Sequence, residues 1–223
     1  MKLKTLSSIV ILFLLSIKLH ADNKYIFLKF KEVNRSPLPS DFKFVMDGDI
    51  IFHISTSPQS RAIQLATHAI YSHCGIIYII KGKPYVFEAV GPVKLTALNQ
   101  WIASGNNAHY LIKRLKNSSV ILTPAVIKKM ILVGNEYLGK RYDQVFNWSD
   151  DQIYCSELVW KIYKKAIGIE VGKLQKLKDF DLSDHYVKQI LEEKYHGNLP
   201  LNEIVISPSS ILQSDLLITV KEN

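Results

Sequence analysis

The sequence predicts an α+β domain, with helices segregated from an antiparallel sheet. Two stretches carry the prediction. Between Cys74 and Val90 lie two runs rich in β-branched and aromatic residues with a reversal at Lys81-Gly82-Lys83, and after Pro124 and again after Cys155 the apolar residues recur at helical spacing. A third observation sets the scale: 223 residues, 48% hydrophobic and 22% charged, is an ordinary globular composition. A chain of this length can bury a core without metal or disulfide staples.

The elements follow in order. Met1-Lys2-Leu3-Lys4, the apolar run Ile9 to Ile17 and Leu19-His20-Ala21 have the form of a removed signal peptide over residues 1–21, leaving one domain over residues 22–223. The apolar run is shorter than the roughly 20 residues a spanning helix requires. Residues 22–48 are a lead-in broken by Pro37 and Pro39 and ending in the turn Asp47-Gly48-Asp49. Ile50-Ile51-Phe52 is a short strand, and Ser60 to His68 a helix with Ala62, Leu65 and Ala66 on one face. Strands over 74–80 and 84–90 form a hairpin, and Leu111 to Leu115 adds another strand. Pro124 opens a helix that runs to about Tyr137 and is closed by Gly139. Leu158, Val159, Ile162, Tyr163 and Ala166 share one face of a helix from Cys155 to Ala166, ended by Gly168. A helix from Asp184 to Tyr195 and a short one at Pro208-Ser209-Ser210 complete the chain, and residues 170–223 carry no assigned role.

Charge and cysteine usage narrow the function classes. The formal charge of +8 falls to +5 when the leader takes Lys2, Lys4 and Lys18 with it. The basic residues are scattered, without the Arg-rich or aromatic-interleaved stripe of a nucleic-acid face, so no nucleic-acid partner is expected; a peripheral contact with an anionic envelope surface is. There is no CxxC pair, no HExxH and no zinc-like spacing, so no metal and no cofactor is expected.

Three residues suit nucleophilic catalysis. Cys155 opens a helix, where unpaired N–H groups and the dipole favour a thiolate and can also meet an oxyanion. His73 stands at the head of one hairpin strand and Glu88 on its partner. An odd sum of paired residue numbers puts both on one sheet face, opposite or diagonal, so the carboxylate can fix the imidazole. Strand alternation sends Cys74 to the other face, which predicts a packed free thiol, no Cys74–Cys155 disulfide and no metal set of His68, His73, Cys74 and Cys155. Against the catalytic reading stands a buried cysteine acting as a small hydrophobe.

Five stretches in a specific order resemble the permuted papain-like amidases, also called YiiX/YebB-like enzymes, circularly permuted relatives of NlpC-type cell-wall peptidases. They are Gly48-Asp49-Ile50-Ile51-Phe52, Tyr71-Ser72-His73-Cys74-Gly75-Ile76, Tyr85-Val86-Phe87-Glu88-Ala89-Val90, Gly139-Lys140-Arg141-Tyr142-Asp143 and Tyr154-Cys155-Ser156-Glu157-Leu158-Val159-Trp160. Histidine precedes cysteine, as permutation implies. The resemblance implies a circularly permuted papain-like fold with the nucleophile at a helix N-terminus, Cys155 as nucleophile, His73 as base and Glu88 as the third catalytic group. It also implies an envelope setting, periplasmic or secreted, with peptidoglycan stem peptides or related amides as substrates. Lipid acyl groups are the alternative substrates, and a non-catalytic envelope binding module is the alternative of another class. Tyr142 and Tyr154 flank the expected cleft, as substrate-binding groups or as core aromatics. Cys74 departs from the small aliphatic residue usual after the histidine.

Overall fold

Strands far apart in the chain are joined in one sheet by the computed structural model, which describes residues 40–223. In chain order the elements are β1 Ile50–His53, α1 Pro58–Thr67, β2 His73–Ile80, β3 Lys83–Ala89, β4 Val93–Ala97, α2 Leu98–Ser104, β5 Tyr110–Leu115, α3 Ser118–Ile121 and α4 Pro124–Asn135. There follow β6 Arg141–Tyr142, β7 Gln152–Ile153, α5 Cys155–Ile167, β8 Gln175–Lys176, α6 His185–Tyr195, β9 Ile204–Val205, α7 Pro208–Leu212 and β10 Leu217–Glu222. The main sheet has the order β10-β5-β1-β2-β3-β4, and all its pairs are antiparallel. The expected signal peptide and the Pro37–Pro39 interruption lie outside the described residues.

The β2–β3 hairpin turns on Lys81 and Gly82 alone, at φ 50° and 73°. Two left-handed residues make the tight hairpin turn whose twist matches the strands, and glycine takes the second position without strain. The turn fixes Ile76 opposite Phe87, so Glu88 falls opposite Gly75 and diagonal to His73. Gly75 has no room for a side chain: a Cβ there would sit 2.5 Å from Val86 Cγ1 and 2.8 Å from the Phe87 carbonyl. A larger residue would lever β3, and Glu88 with it, away from β2.

The two sheet faces bury different partners. One presents Ile50, Phe52, Cys74, Ile76 and Phe87 to α4 and α5, where Met130, Ile131, Leu158 and Ile162 complete the larger core. The other presents Ile51, Ile77, Val86 and Ile112 to Leu98 and Trp101 of α2. Helix α5 forms where the sequence predicts it. Its apolar face is buried, the Tyr154 amide donates to Glu157 at 3.4 Å, Lys164 and Lys165 lie in the last turn, and Gly168 ends it at φ 75°. Helix α1 begins two residues earlier than the apolar spacing indicates, because Pro58 suits a first turn.

Besides the short pieces α3 and β6 to β9, three elements of the main sheet and its cover have no counterpart in the sequence reading. The stretch Val93–Ser104 forms β4 and α2, and β10 returns from the C-terminal region to pair with β5, Leu217 opposite Leu115. Among the described residues no helix is long and apolar enough to cross a membrane.

Candidate active site

His73 is the first residue of β2, and its Nε2 lies 2.7 Å from Glu88 Oε2. Both side chains are almost fully buried, at 6% and 5% exposure, so water does not screen the pair. Two further donors hold the carboxylate: Thr96 Oγ1–H donates to Oε1 at 2.6 Å and Trp101 Nε1–H to Oε2 at 2.8 Å. Burial would raise the Glu88 carboxyl, but the His73, Thr96 and Trp101 donors outweigh it and hold the group below its ordinary value. With Nε2 committed to Glu88, Nδ1 is left for the thiol.

The floor under this pair is aromatic. Trp101 stacks on His53 at 3.9 Å between centroids and on His73 at 5.9 Å, and His53 lies 5.1 Å from His73. Burial, and then the charge on His73, push His53 down to about 3, so it is a neutral packing surface.

Cys155 begins α5 and is 2% exposed. The Cys74 thiol and backbone N–H, the His73 imidazole and the Tyr142 hydroxyl all lie beside its sulfur. The Cys74 thiol, acting against burial, and then the His73 charge draw Cys155 below the usual thiol range. Burial alone would lower His73; the Cys155 charge, followed by Glu88, holds it up at about 10 instead. Both directions favour a thiolate beside an imidazolium.

One expectation is overturned. Cys74 does not point away from the site: its thiol touches that of Cys155, and both are free. Alternation along β2 holds, since His73 faces Trp101 while Cys74 joins the opposite face. The inference failed on where α5 sits. The helix covers the Cys74 face, and His73 reaches its thiol because it is the terminal residue of the strand. The orientation of Cys74 thus gives no ground for setting a metal aside. Among the described residues no group of three or more His, Cys, Asp or Glu is arranged to hold a metal ion, and His68 is on the surface, paired to Asp181 at 3.1 Å.

The two tyrosines separate. Tyr142, in β6, pairs in parallel with Ile153 of β7, which delivers its hydroxyl to Cys155. The Tyr154 hydroxyl instead accepts from the Ile206 amide at 3.0 Å, and its ring meets Phe146 edge-on at 5.1 Å. Tyr154 therefore anchors the Val205–Ile206 segment and offers only its ring to the adjoining cavity. That cavity, of about 90 Å³, is bordered by Cys155, Tyr142, α1 and α6. Thr96, Trp101 and the cavity walls went unnoticed in the sequence. A tryptophan and a threonine on the face of Glu88 were the available signal, and β4 and α2 had to be recognised before it could be read.

The motif order, the geometry and the comparisons converge. Residues 45–221 match the model of the "Permuted papain-like amidase enzyme, YaeF/YiiX, C92 family". The chain belongs to this family. A permuted papain-like amidase of this kind is a cysteine hydrolase, and the α+β fold with its antiparallel sheet is the family's fold. Among its relatives is a protein of Escherichia coli strain K12 named "Uncharacterized protein YiiX", 52% identical over 173 residues that cover 78% of this chain and 84% of the relative. A crystal structure titled as metalloprotein yiiX from Escherichia coli O157:H7 matches with a TM-score of 0.77 and 50% identity, covering 80% of this chain and 97% of that one. The word metalloprotein belongs to that structure; among the described residues of this chain no group of three or more His, Cys, Asp or Glu is placed to hold a metal ion.

Proposed function

We propose that this chain hydrolyses carboxamide or carboxylic ester bonds through a thioester on Cys155. The observation that carries the reading is a buried imidazole with Glu88 on one nitrogen at 2.7 Å and the Cys155 sulfur as its other partner. The thiolate attacks the substrate carbonyl, and the oxyanion is met by the free N–H groups of the first turn of α5 and by the Tyr142 hydroxyl. The His73 imidazolium gives its Nδ1 proton to the departing amine or alkoxide, leaving an acyl-thioester on Cys155. Neutral His73 then takes a proton from water, the hydroxide attacks the thioester, and the carboxylic acid and the thiolate separate. Glu88 keeps the imidazole in one tautomer and stabilises its charged form throughout.

The basic leader and apolar run support an envelope setting, periplasmic or secreted, with a peripheral attraction to anionic surfaces. The family description supports amides, and peptidoglycan stem peptides supply such bonds. Acyl lipids supply the same carbonyl chemistry, and the space beside Cys155 bears on the choice. The test is direct trapping: the protein is mixed with an activated ester, quenched in acid and digested, and the acyl mass is located. An acyl group on the Cys155 peptide, absent from Cys155→Ala, is the expected result. An unmodified Cys155 in folded protein would favour the non-catalytic binding module instead.

A further inference from the structure

We propose that Cys74 is a resolving thiol: a hydroperoxide oxidises Cys155, and Cys74 then closes on it in a reversible disulfide that switches the site off. The proposal rests on the Cys155 nucleophile read above and adds its regulation by oxidant. Cys74 is the second residue of β2 and Cys155 the first of α5, which packs directly on that strand. Both thiols are free, both are buried in one core, and their sulfurs lie side by side. A disulfide needs Cα atoms within about 7 Å and Cβ atoms that do not diverge. A helix end seated on the strand face from which Cys74 projects brings the two side chains toward each other.

The two thiols are not equivalent. Cys155 borders the cavity, whereas Cys74 is absent from its lining and fully buried, so a small hydroperoxide entering there meets Cys155 first. The Cys74 contact and then the His73 charge favour the Cys155 thiolate, while burial keeps the Cys74 thiol protonated well above its ordinary range. In the first step the Cys155 thiolate attacks the distal peroxide oxygen. An S–O bond forms, the O–O bond breaks, and the departing alkoxide or hydroxide takes the proton of the His73 imidazolium. In the second step the Cys74 sulfur attacks the sulfenic sulfur of Cys155. An S–S bond forms, the S–O bond breaks, and hydroxide leaves as water with the Cys74 proton. The sulfurs lose the electron pair that the peroxide gains, so no further co-reactant enters. A dithiol reductant reverses the closure by exchange, and the nucleophile returns. Without Cys74 the sulfenic acid stays open to a second oxidation, to sulfinic acid, which a thiol reductant does not reverse. A methyl group would fill this place in the core; a second sulfur is what resolves a sulfenic acid.

The test exposes the reduced full-length chain to a moderate excess of hydrogen peroxide and divides it between denaturing alkylation with peptide mapping and an activated-ester assay. The wild type loses both free thiols together and yields a linked Cys74–Cys155 peptide pair. Its kcat/KM falls at least about tenfold and returns with dithiothreitol. Cys74→Ala, measured against its own starting rate, loses activity as readily but does not regain it, and its Cys155 peptide carries sulfinic acid. Three results overturn the resolving role and leave Cys155 catalysis standing: a wild type whose Cys155 becomes sulfinic acid while Cys74 is still alkylated, a linked protein that keeps its turnover, or a Cys74→Ala that recovers as the wild type does. If Cys155 takes neither the peroxide oxygen nor the acyl group of the trapping experiment, the nucleophile reading falls and takes this proposal with it. Should Cys74→Ala not fold, Cys74→Ser replaces it, and the wild-type peptide map decides in either case.

Discussion

The two faces of the main sheet divide the work differently. The face under α2 holds His73, Glu88, Thr96 and Trp101, a set of polar groups with matched partners, resting on a neutral His53. The face under α5 is a hydrocarbon core into which two thiols are set, Cys74 from the strand and Cys155 from the helix. The first face fixes one imidazole in one orientation; the second supplies the Cys155 thiol with little else polar near it. They meet at the start of β2, where His73 is the terminal residue of the strand. The lesson is that a strand terminus escapes the rule that strand neighbours belong to opposite compartments, and this fold builds its site at that exception.

Breaking the meeting point has the largest expected effect. His73→Ala leaves both faces packed yet removes base and counter-ion together, and kcat/KM falls about 10⁴-fold in steady-state assays on an activated ester. Glu88→Gln acts only on the first face and lowers kcat about 10²-fold. It also changes the pH profile. In the wild type His73 loses its charge as pH rises through about 10, while Cys155 regains its proton only well below the usual thiol range. The product of the two fractions is flat across neutral pH and falls on either side. Removing the Glu88 anion takes away support for the imidazolium, so the alkaline limb moves to lower pH, and a limb that stays near 10 contradicts the assigned partner.

Smaller substitutions sharpen the contrast between the faces. Trp101→Phe keeps the ring and deletes the donor that shares Glu88 Oε2 with His73, which lowers kcat about tenfold and shifts the alkaline limb upward. Cys74→Ala, on the other face, deletes the thiol donor to Cys155 and moves the acid limb upward, with a loss of about threefold at neutral pH. Opposite limbs for these two variants, read from kcat/KM against pH, are the signature of two compartments serving one ion pair.

Much of this arrangement was legible in the amino-acid order because it rests on local chemistry. Lys81-Gly82 dictates a tight hairpin, and the hairpin dictates that His73 and Glu88 share a face whichever odd register is chosen. Cys155, Glu157, the paired lysines and Gly168 mark both ends of α5. What stayed hidden depends on packing between distant segments. Val93-Lys94-Leu95-Thr96-Ala97 is short, only one of its side chains is fully buried, and its strand character comes from pairing with β3. Trp101 reads as one more core aromatic until α2 lays it under Glu88. The facing of Cys74 was derived correctly relative to His73 and wrongly relative to Cys155, since alternation says nothing about which face a later helix will cover. The cavity beside Cys155 was invisible for the same reason, its walls being drawn from α1 and from elements far later in the chain.

The central claim, that Cys155 is held as a thiolate by His73, is tested most directly by ultraviolet thiolate absorbance against pH for the wild type, Cys155→Ala and His73→Ala. The account predicts a Cys155-dependent signal already present at neutral pH and persisting well into the acid range, with His73→Ala moving its onset upward. A wild-type signal that appears only near the ordinary thiol value of 9.0, unchanged by loss of the imidazole, would contradict it.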